Sequence, residues 1–209
     1  MITIIDYGAG NLGSVANAII KLGYQPKITD KRGEVLSSEA VILPGVGAAG
    51  DAMENLEAVG MTDVIRQVIY EKRPLFAVCV GLQLLFSDTE EGGGHECLGV
   101  IPGSVRRLPN GLKVPHIGWN QVKQQFGHPI FSGIPDETNF YFVHSYYVEP
   151  DEKSVVAGTT EYGVSMCSVV IKDNLVATQF HPEKSGSWGL KMYSNFLDMA
   201  LNKEGQHGK

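Results

Sequence analysis

Leu75-Phe76-Ala77-Val78-Cys79-Val80-Gly81-Leu82-Gln83-Leu84-Leu85 decides the fold. The four apolar residues before the cysteine read as a buried strand and the run after it as a helix, so the thiol stands at an abrupt corner between them. A side chain at such a corner projects from the carboxyl end of a sheet. The unpaired N–H groups of the following helix point toward it, favouring a thiolate and any oxyanion formed beside it. Much later in the chain, Gln179-Phe180-His181-Pro182-Glu183 offers a base and a carboxylate to orient it.

Working outward, Ile2 to Asp6 predicts a buried first strand, and Leu12, Val15, Ala16 and Ile19 recur at helical spacing until Gly23 supplies a stop. Gln25 to Thr29 and Ala40 to Leu43 are the next strands. Val64, Ile65, Val68 and Ile69 mark a helix face behind Thr62 as its cap, and Pro74 starts the strand leading to Cys79. This alternation predicts an α/β fold with a mostly parallel central sheet flanked by helices, its functional loops at the strands' carboxyl ends. From Gly92-Gly93-Gly94 onward the texture changes to a β-rich C-terminal half: Ser104 to Leu108, Trp119 to Lys123, Phe140 to Val143, Ser154 to Thr159, Cys167 to Lys172 and Leu175 to Phe180 read as strands, with a turn at Lys172-Asp173-Asn174. Leu190, Tyr193, Leu197 and Leu201 stripe a closing helix, and Glu204 to Lys209 reads as a loose tail. No repeat or low-complexity linker interrupts the chain, so residues 1–209 are expected to form a single domain.

The 209 residues are enough for one large α/β domain, and 43% hydrophobic with 19% charged content is that of an ordinary globular protein. No apolar segment approaches the length of a spanning helix, and the opening residues read as a strand rather than a signal peptide; no membrane association is expected. A formal charge of -6 provides no basic field for nucleic acid. Three cysteines, an odd number without an export signal, imply free thiols in a reducing cytoplasm.

A cysteine is a weak nucleophile at neutral pH unless its thiolate is stabilised or a base takes its proton. His181, folded against Cys79, can do either. In an extended segment residues two apart share a face, so Glu183 can hold one imidazole tautomer while the other nitrogen meets sulfur. Acyl chemistry also needs donors for the developing oxyanion: Pro44-Gly45-Val46-Gly47 follows the third predicted strand, so Val46 or Gly47 can supply one N–H and Val80 the other. The competing reading is an inert buried thiol, a strand end at His-Pro-Glu and a plain glycine turn. That blander reading is preferred for Cys97 and Cys167, and His95 with Cys97 lacks the second ligand pair of a zinc site, so no metal and no cofactor is expected.

Gly8-Ala9-Gly10-Asn11-Leu12-Gly13 matches G-x-G-x-x-G between a strand and a helix, with Asp30 placed as a ribose-binding acid would be. A noncatalytic nucleotide-binding module is therefore the alternative from another class. Asp6 beside the pyrophosphate position and the β-rich remainder weigh against it.

Together, the Cys79-x-Gly81-x-Gln83 corner and His181-Pro182-Glu183 resemble the class I, triad-type glutamine amidotransferases over nearly the whole chain. Asp6-Tyr7-Gly8-Ala9-Gly10-Asn11-Leu12, Pro115-His116-Ile117-Gly118-Trp119-Asn120 and Tyr141-Phe142-Val143-His144-Ser145-Tyr146 resemble its histidine-biosynthetic branch, the glutaminase subunits of imidazole glycerol phosphate synthase. The resemblance implies a flavodoxin-like α/β fold and hydrolysis of glutamine through a thioester on Cys79, with His181 and Glu183 completing the triad. It implies glutamine binding by Gln83, Ser145 and Tyr146, and an oxyanion site at Gly45, Val46, Gly47 and Val80. It further implies a heterodimer with a separate barrel-shaped cyclase subunit that receives the ammonia, with Asn11, Trp119, Tyr141 and Lys184 at or near the interface. Service to another synthase is the nearest alternative. Ala77 and Ala49 depart from the family's usual glycine and aromatic at those places.

Overall fold

The computed structural model describes residues 1–8 and 10–201; Ala9 and residues 202–209, including the expected tail, lie outside the described residues. In the first half, β1 (Ile2–Ile5), β2 (Pro26–Thr29), β3 (Ala40–Leu43) and β4 (Leu75–Val78) alternate with α1 (Leu12–Lys21), α2 (Arg32–Leu36), α3 (Ala49–Ala58) and α4 (Thr62–Tyr70), and α5 (Val80–Gln83) is a single turn directly after Cys79. Every residue of β1, β3 and β4 is buried, as a parallel sheet covered on both faces requires.

The second half is strand-rich: β5 (Asp88–Thr89), β6 (His95–Glu96), β7 (Gly103–Arg107), β8 (His116–Gln124), β9 (Thr138–His144), β10 (Tyr146–Pro150), β11 (Val156–Glu161), β12 (Ser165–Lys172) and β13 (Leu175–Thr178), closed by α6 (Gly186–Leu201). The strands run β2-β1-β3-β4-β13-β12-β10-β7-β5-β6, with β11, β8 and β9 branching from β12. Pairing is parallel from β2 to β13 and antiparallel from β13 through β12 and β10 to β7, so the sheet is mixed. β13 returns beside β4, Thr178 opposite Val78, which brings the residues after β13 alongside Cys79.

Two aromatic groups tie this frame to the chain's end. Phe76 of β4 packs on Tyr193 and Phe196 of α6, ring centroids 5.1 and 5.2 Å apart, while Phe180 stacks on Phe140 at 4.2 Å and meets Phe142 at 5.5 Å. Each such buried ring stabilises the fold by about 2 to 3 kcal/mol, and Phe180 thereby sets the depth of the residue that follows it, His181.

Three local expectations need correction. α3 was not foreseen, because its buried face is built of Ala49, Gly50, Ala52, Met53 and Leu56, mostly too small to mark a stripe. β10 likewise escaped notice, and Thr62 is the first helical residue rather than the cap; Met61 holds that place without a side-chain hydrogen bond. Among the described residues no helix is long and apolar enough to cross a membrane.

Candidate active site

Cys79 adopts φ 53° and ψ -108°, a region that costs a non-glycine residue on the order of 1 kcal/mol or more and that turns its side chain out of the strand line. The surrounding packing holds this strain. A Cβ on Gly45 would strike the backbone nitrogen of Gly81, and one on Gly81 would lie 2.5 Å from the Leu43 carbonyl oxygen, so the glycine loop and the corner fit together only as glycines. Gly47 takes φ +90°. The N–H groups of Val46, Gly47 and Val80 make no backbone or side-chain hydrogen bond among the described residues, which leaves them available to a ligand. The Tyr7 hydroxyl donates to the Pro44 carbonyl at 2.8 Å, and Gly10 abuts the Pro44 ring. The N-terminal glycine loop thus buttresses the second glycine loop, and Asp6 Oδ1 accepts from Gly8 N–H at 3.0 Å.

His181 is extended, with φ -101° and ψ 98°, but the chain then closes into a 3-10 turn over Pro182–Lys184. The expectation of one extended segment therefore fails, although the contact it was meant to explain exists: His181 Nδ1 lies 2.8 Å from Glu183 Oε1. Proline starts the turn, and the turn swings the carboxylate back onto the ring. Strand β9 fixes the whole loop. His181 N–H donates to the Tyr141 carbonyl at 2.9 Å, Tyr141 N–H donates to Ser185 Oγ at 2.9 Å, and that hydroxyl donates to the His181 carbonyl at 2.6 Å. The ring is 1% exposed and its Nε2 has no well-formed hydrogen bond among the described residues. Burial pulls the imidazole's pKa down, but hydrogen bonding and charge from Cys79 and Glu183 outweigh it and raise it to about 9. Tyr193 of α6 lies beside Glu183, and burial together with that carboxylate pushes its phenol well above 10.

Cys79 is 3% exposed, and its sulfur lies 3.7 Å from Gln179 Nε2 and 3.8 Å from the Val143 carbonyl oxygen. Gln83 Nε2 donates to the Tyr146 carbonyl at 3.0 Å and to Gln179 Oε1 at 3.3 Å, which leaves Gln83 Oε1 as the atom it can offer a ligand. α5 being one turn long, its dipole is weak; the free N–H groups at its start, not a long helix, are what the corner can present.

One cavity of about 360 Å³ collects these groups. Cys79, Val80, Gln83 and His181 line it together with Val46 and Gly47 of the glycine loop and Ser145 and Tyr146 after β9. Gly45 lies behind, against Gly81, and Glu183 lies behind His181. Lys184, expected at or near a partner interface, also lines this cavity. Asn11, Trp119 and Tyr141 do not. Trp119 is 58% exposed with its ring 6.0 Å from that of Tyr141, and Asn11 precedes α1, a helix that packs on the 182–184 turn. Sequence reasoning missed Glu91, Pro115, Val143 and His144 of the lining, and Gln179 at the sulfur. Glu91 Oε2 accepts the Ala49 N–H at 2.7 Å at the start of α3, a contact with no local signature. A larger groove of about 610 Å³ near Arg106 and Lys153 contains none of the residues singled out for catalysis or glutamine binding.

The other thiols have no comparable setting. Burial, then Asp88 and Glu91, push Cys97 up to about 11, and burial pushes Cys167 up to about 12, so both remain neutral and inert at physiological pH. Cys97 is buried in the loop that follows β6, and the His95 ring rests on Gly50. Among the described residues no three His, Cys, Asp or Glu side chains gather as metal ligands.

Comparison with known proteins agrees with this geometry. The family model "Glutamine amidotransferase class-I" matches residues 3–200. The "Imidazole glycerol phosphate synthase subunit HisH" of Dehalococcoides mccartyi strain CBDB1 is 57% identical over 201 residues, covering 96% of this chain and 98% of the relative. That of Moorella thermoacetica is 53% identical over 198 residues, covering 95% and 94%. A crystal structure of a glutamine amidotransferase superposes with a TM-score of 0.75 at 19% identity, covering 96% of this chain and 99% of that one, which shows a shared fold. The chain belongs to the class-I glutamine amidotransferase family, among the HisH subunits of imidazole glycerol phosphate synthase.

Proposed function

We propose that this chain hydrolyses glutamine to glutamate and ammonia through a thioester on Cys79. The observation that carries the reading is the meeting of Cys79 and His181 at one cavity, with Glu183 2.8 Å behind the imidazole. His181 takes the thiol proton, sulfur attacks the carboxamide carbon, and the oxyanion is held by N–H groups of Val80 and of Val46 or Gly47. His181 then protonates the leaving nitrogen, so ammonia departs. Water attacks the thioester with His181 as base, releasing glutamate and regenerating the thiol. Glu183 keeps the imidazole proton on Nδ1 and stabilises the imidazolium. Each oxyanion donor is worth about 3 kcal/mol of barrier, so the setting of the glycine loop governs the rate.

Glutamine itself fits the cavity's charges. Its walls carry one carboxylate, Glu91, and one ammonium, Lys184, the complement of a zwitterion, with Gln83 Oε1 as a further acceptor and Ser145 and Tyr146 beside it.

Ammonia in water at neutral pH is mostly the non-nucleophilic ammonium ion, so the product needs a sheltered acceptor. The reading therefore includes a heterodimer with a cyclase subunit that makes imidazole glycerol phosphate and an aminoimidazole carboxamide ribotide, in the cytoplasm, with residues 1–209 acting as one domain. Exposed Trp119, with Tyr141, Asn11 and Lys184, forms the proposed contact face; the HisH relatives support this partner over that of another synthase. The test is glutamine hydrolysis by the chain alone and with the cyclase and its nucleotide ligand. Activity should rise with the complete mixture. Cys79→Ala should abolish glutamine-dependent synthesis and leave synthesis from ammonium salt intact; loss of both would refute the division of labour.

A further inference from the structure

Gln179 stands one residue beyond β13, where Thr178 pairs with Val78 and the Thr178 carbonyl accepts the Cys79 N–H at 2.7 Å. That register sets its side chain beside the sulfur. The residue is 0% exposed, and an amide so buried must find hydrogen-bond partners. Both of its ends find them in the site: Oε1 accepts from Gln83 Nε2 at 3.3 Å and Nε2 donates to Cys79 Sγ at 3.7 Å. The strand itself has no need of the amide, since Leu175, Val176, Ala177 and Phe180 around it are apolar and its own N–H already bonds the Ser168 carbonyl at 2.9 Å.

We propose that Gln179 is a further catalytic residue, whose side-chain N–H holds the Cys79 thiolate toward His181 while its carbonyl sets the rotamer of Gln83. The sulfur needs such a donor. A thiolate only accepts hydrogen bonds, and the Val143 carbonyl oxygen at 3.8 Å, which can accept from the thiol, faces the anion with its lone pairs. Gln179 offsets that repulsion each time the thiolate exists, before attack and again when the thioester breaks down. Through Gln83 the same amide reaches the substrate side, because Gln83 donates both its hydrogens to Gln179 and Tyr146 and so presents Oε1 to the cavity. The inference rests on Cys79 being the nucleophile.

The test is the rate at which iodoacetamide alkylates Cys79 in the full chain, followed by peptide mass spectrometry at pH 7 and pH 10. Gln179→Leu removes both hydrogen bonds and should slow alkylation at pH 7 by about tenfold, the scale of a lost hydrogen bond to a charged group, with the deficit shrinking at pH 10, above the ordinary thiol range of about 8.5. Gln179→Glu keeps the volume and the acceptor toward Gln83 but sets a carboxylate against the sulfur, and should be slower still at pH 7; it keeps the test decisive if the leucine variant misfolds. Folded variants that alkylate at the wild-type rate at pH 7 would overturn the proposal, as would a slowing equal at both pH values, which would mean altered access. If wild-type Cys79 reacts no faster than Cys97 and Cys167, the nucleophile assignment fails instead.

Discussion

His144 and His116 are joined Nε2 to Nδ1 at 2.9 Å beside the active-site cavity. His144 Nδ1 lies 2.8 Å from the Tyr146 carbonyl, which can only accept, so that nitrogen carries the proton and Nε2 must accept from His116. His116 Nε2 in turn faces Asn120 Nδ2 at 3.3 Å. Both rings are neutral donors and acceptors in a chain that ends on the carbonyl gripped by Gln83.

This chain makes the protein acid-sensitive. Burial, only partly opposed by the Tyr146 hydrogen bond and reinforced by the charges of His116 and His181, lowers His144 from 6.5 to about 4. Between those values the unfolded chain binds a proton that the folded one refuses, so stability is complete above about pH 6.5 and falls as pH drops toward 4. Urea unfolding at pH 7 and 4.5 should show a loss of roughly 2 to 3 kcal/mol from this group. His144→Gln should flatten that difference, and an equal acid loss in the variant would contradict the assignment.

His181 predicts the opposite limb. Its folded value of about 9 lies above the ordinary 6.5, so its contribution is complete below about pH 6.5 and is lost as pH rises through 9. The melting temperature should decline over that window. In Cys79→Ala, with the thiolate gone and burial less opposed, the decline should begin at lower pH.

Tyr7→Phe leaves the Pro44 carbonyl without its donor at the root of the glycine loop. Stability should fall by about 1 to 2 kcal/mol, and kcat should fall more than KM rises, because the loop's N–H groups matter most in the transition state. Steady-state glutaminase kinetics in the presence of the cyclase and its ligand check this; a pure KM effect would contradict it.

The glycine loop separates space from conformation. Gly45→Ala drives a methyl into Gly81 and Val80 and should cost about 3 kcal/mol or prevent folding, whereas Gly47→Ala meets open space and should cost about 1 to 2 kcal/mol for its positive φ. Chemical denaturation of both variants gives the comparison, and equal losses would refute it.

The corner at Cys79 was legible because a strand-length apolar run stops at the cysteine and a second apolar run with helical character follows it. His181 and Glu183 were legible as residue types, but Pro182 closes a turn that a period-two argument does not contain. Val143 ends the strand that was foreseen, and His144 extends it by one residue. What they face depends on β9 pairing with β8, Val143 opposite Ile117, a register no local pattern encodes. Gln179 stood in plain view, yet only the parallel pairing of β13 with β4 shows that it touches the sulfur. Lys184 was expected at or near the partner interface; the turn that folds Glu183 onto His181 also brings Lys184 to the cavity, which no local pattern announces.

The assignment of Cys79 is tested most directly by treating the native chain with a chloroketone analogue of glutamine and mapping the adduct by peptide mass spectrometry. Labelling of Cys79 alone, slowed by added glutamine, is the predicted result, since Cys79 lines the cavity while the thiols of Cys97 and Cys167 are held neutral. An adduct on either of those two, or glutamine turnover that persists in Cys79→Ala, would contradict the mechanism.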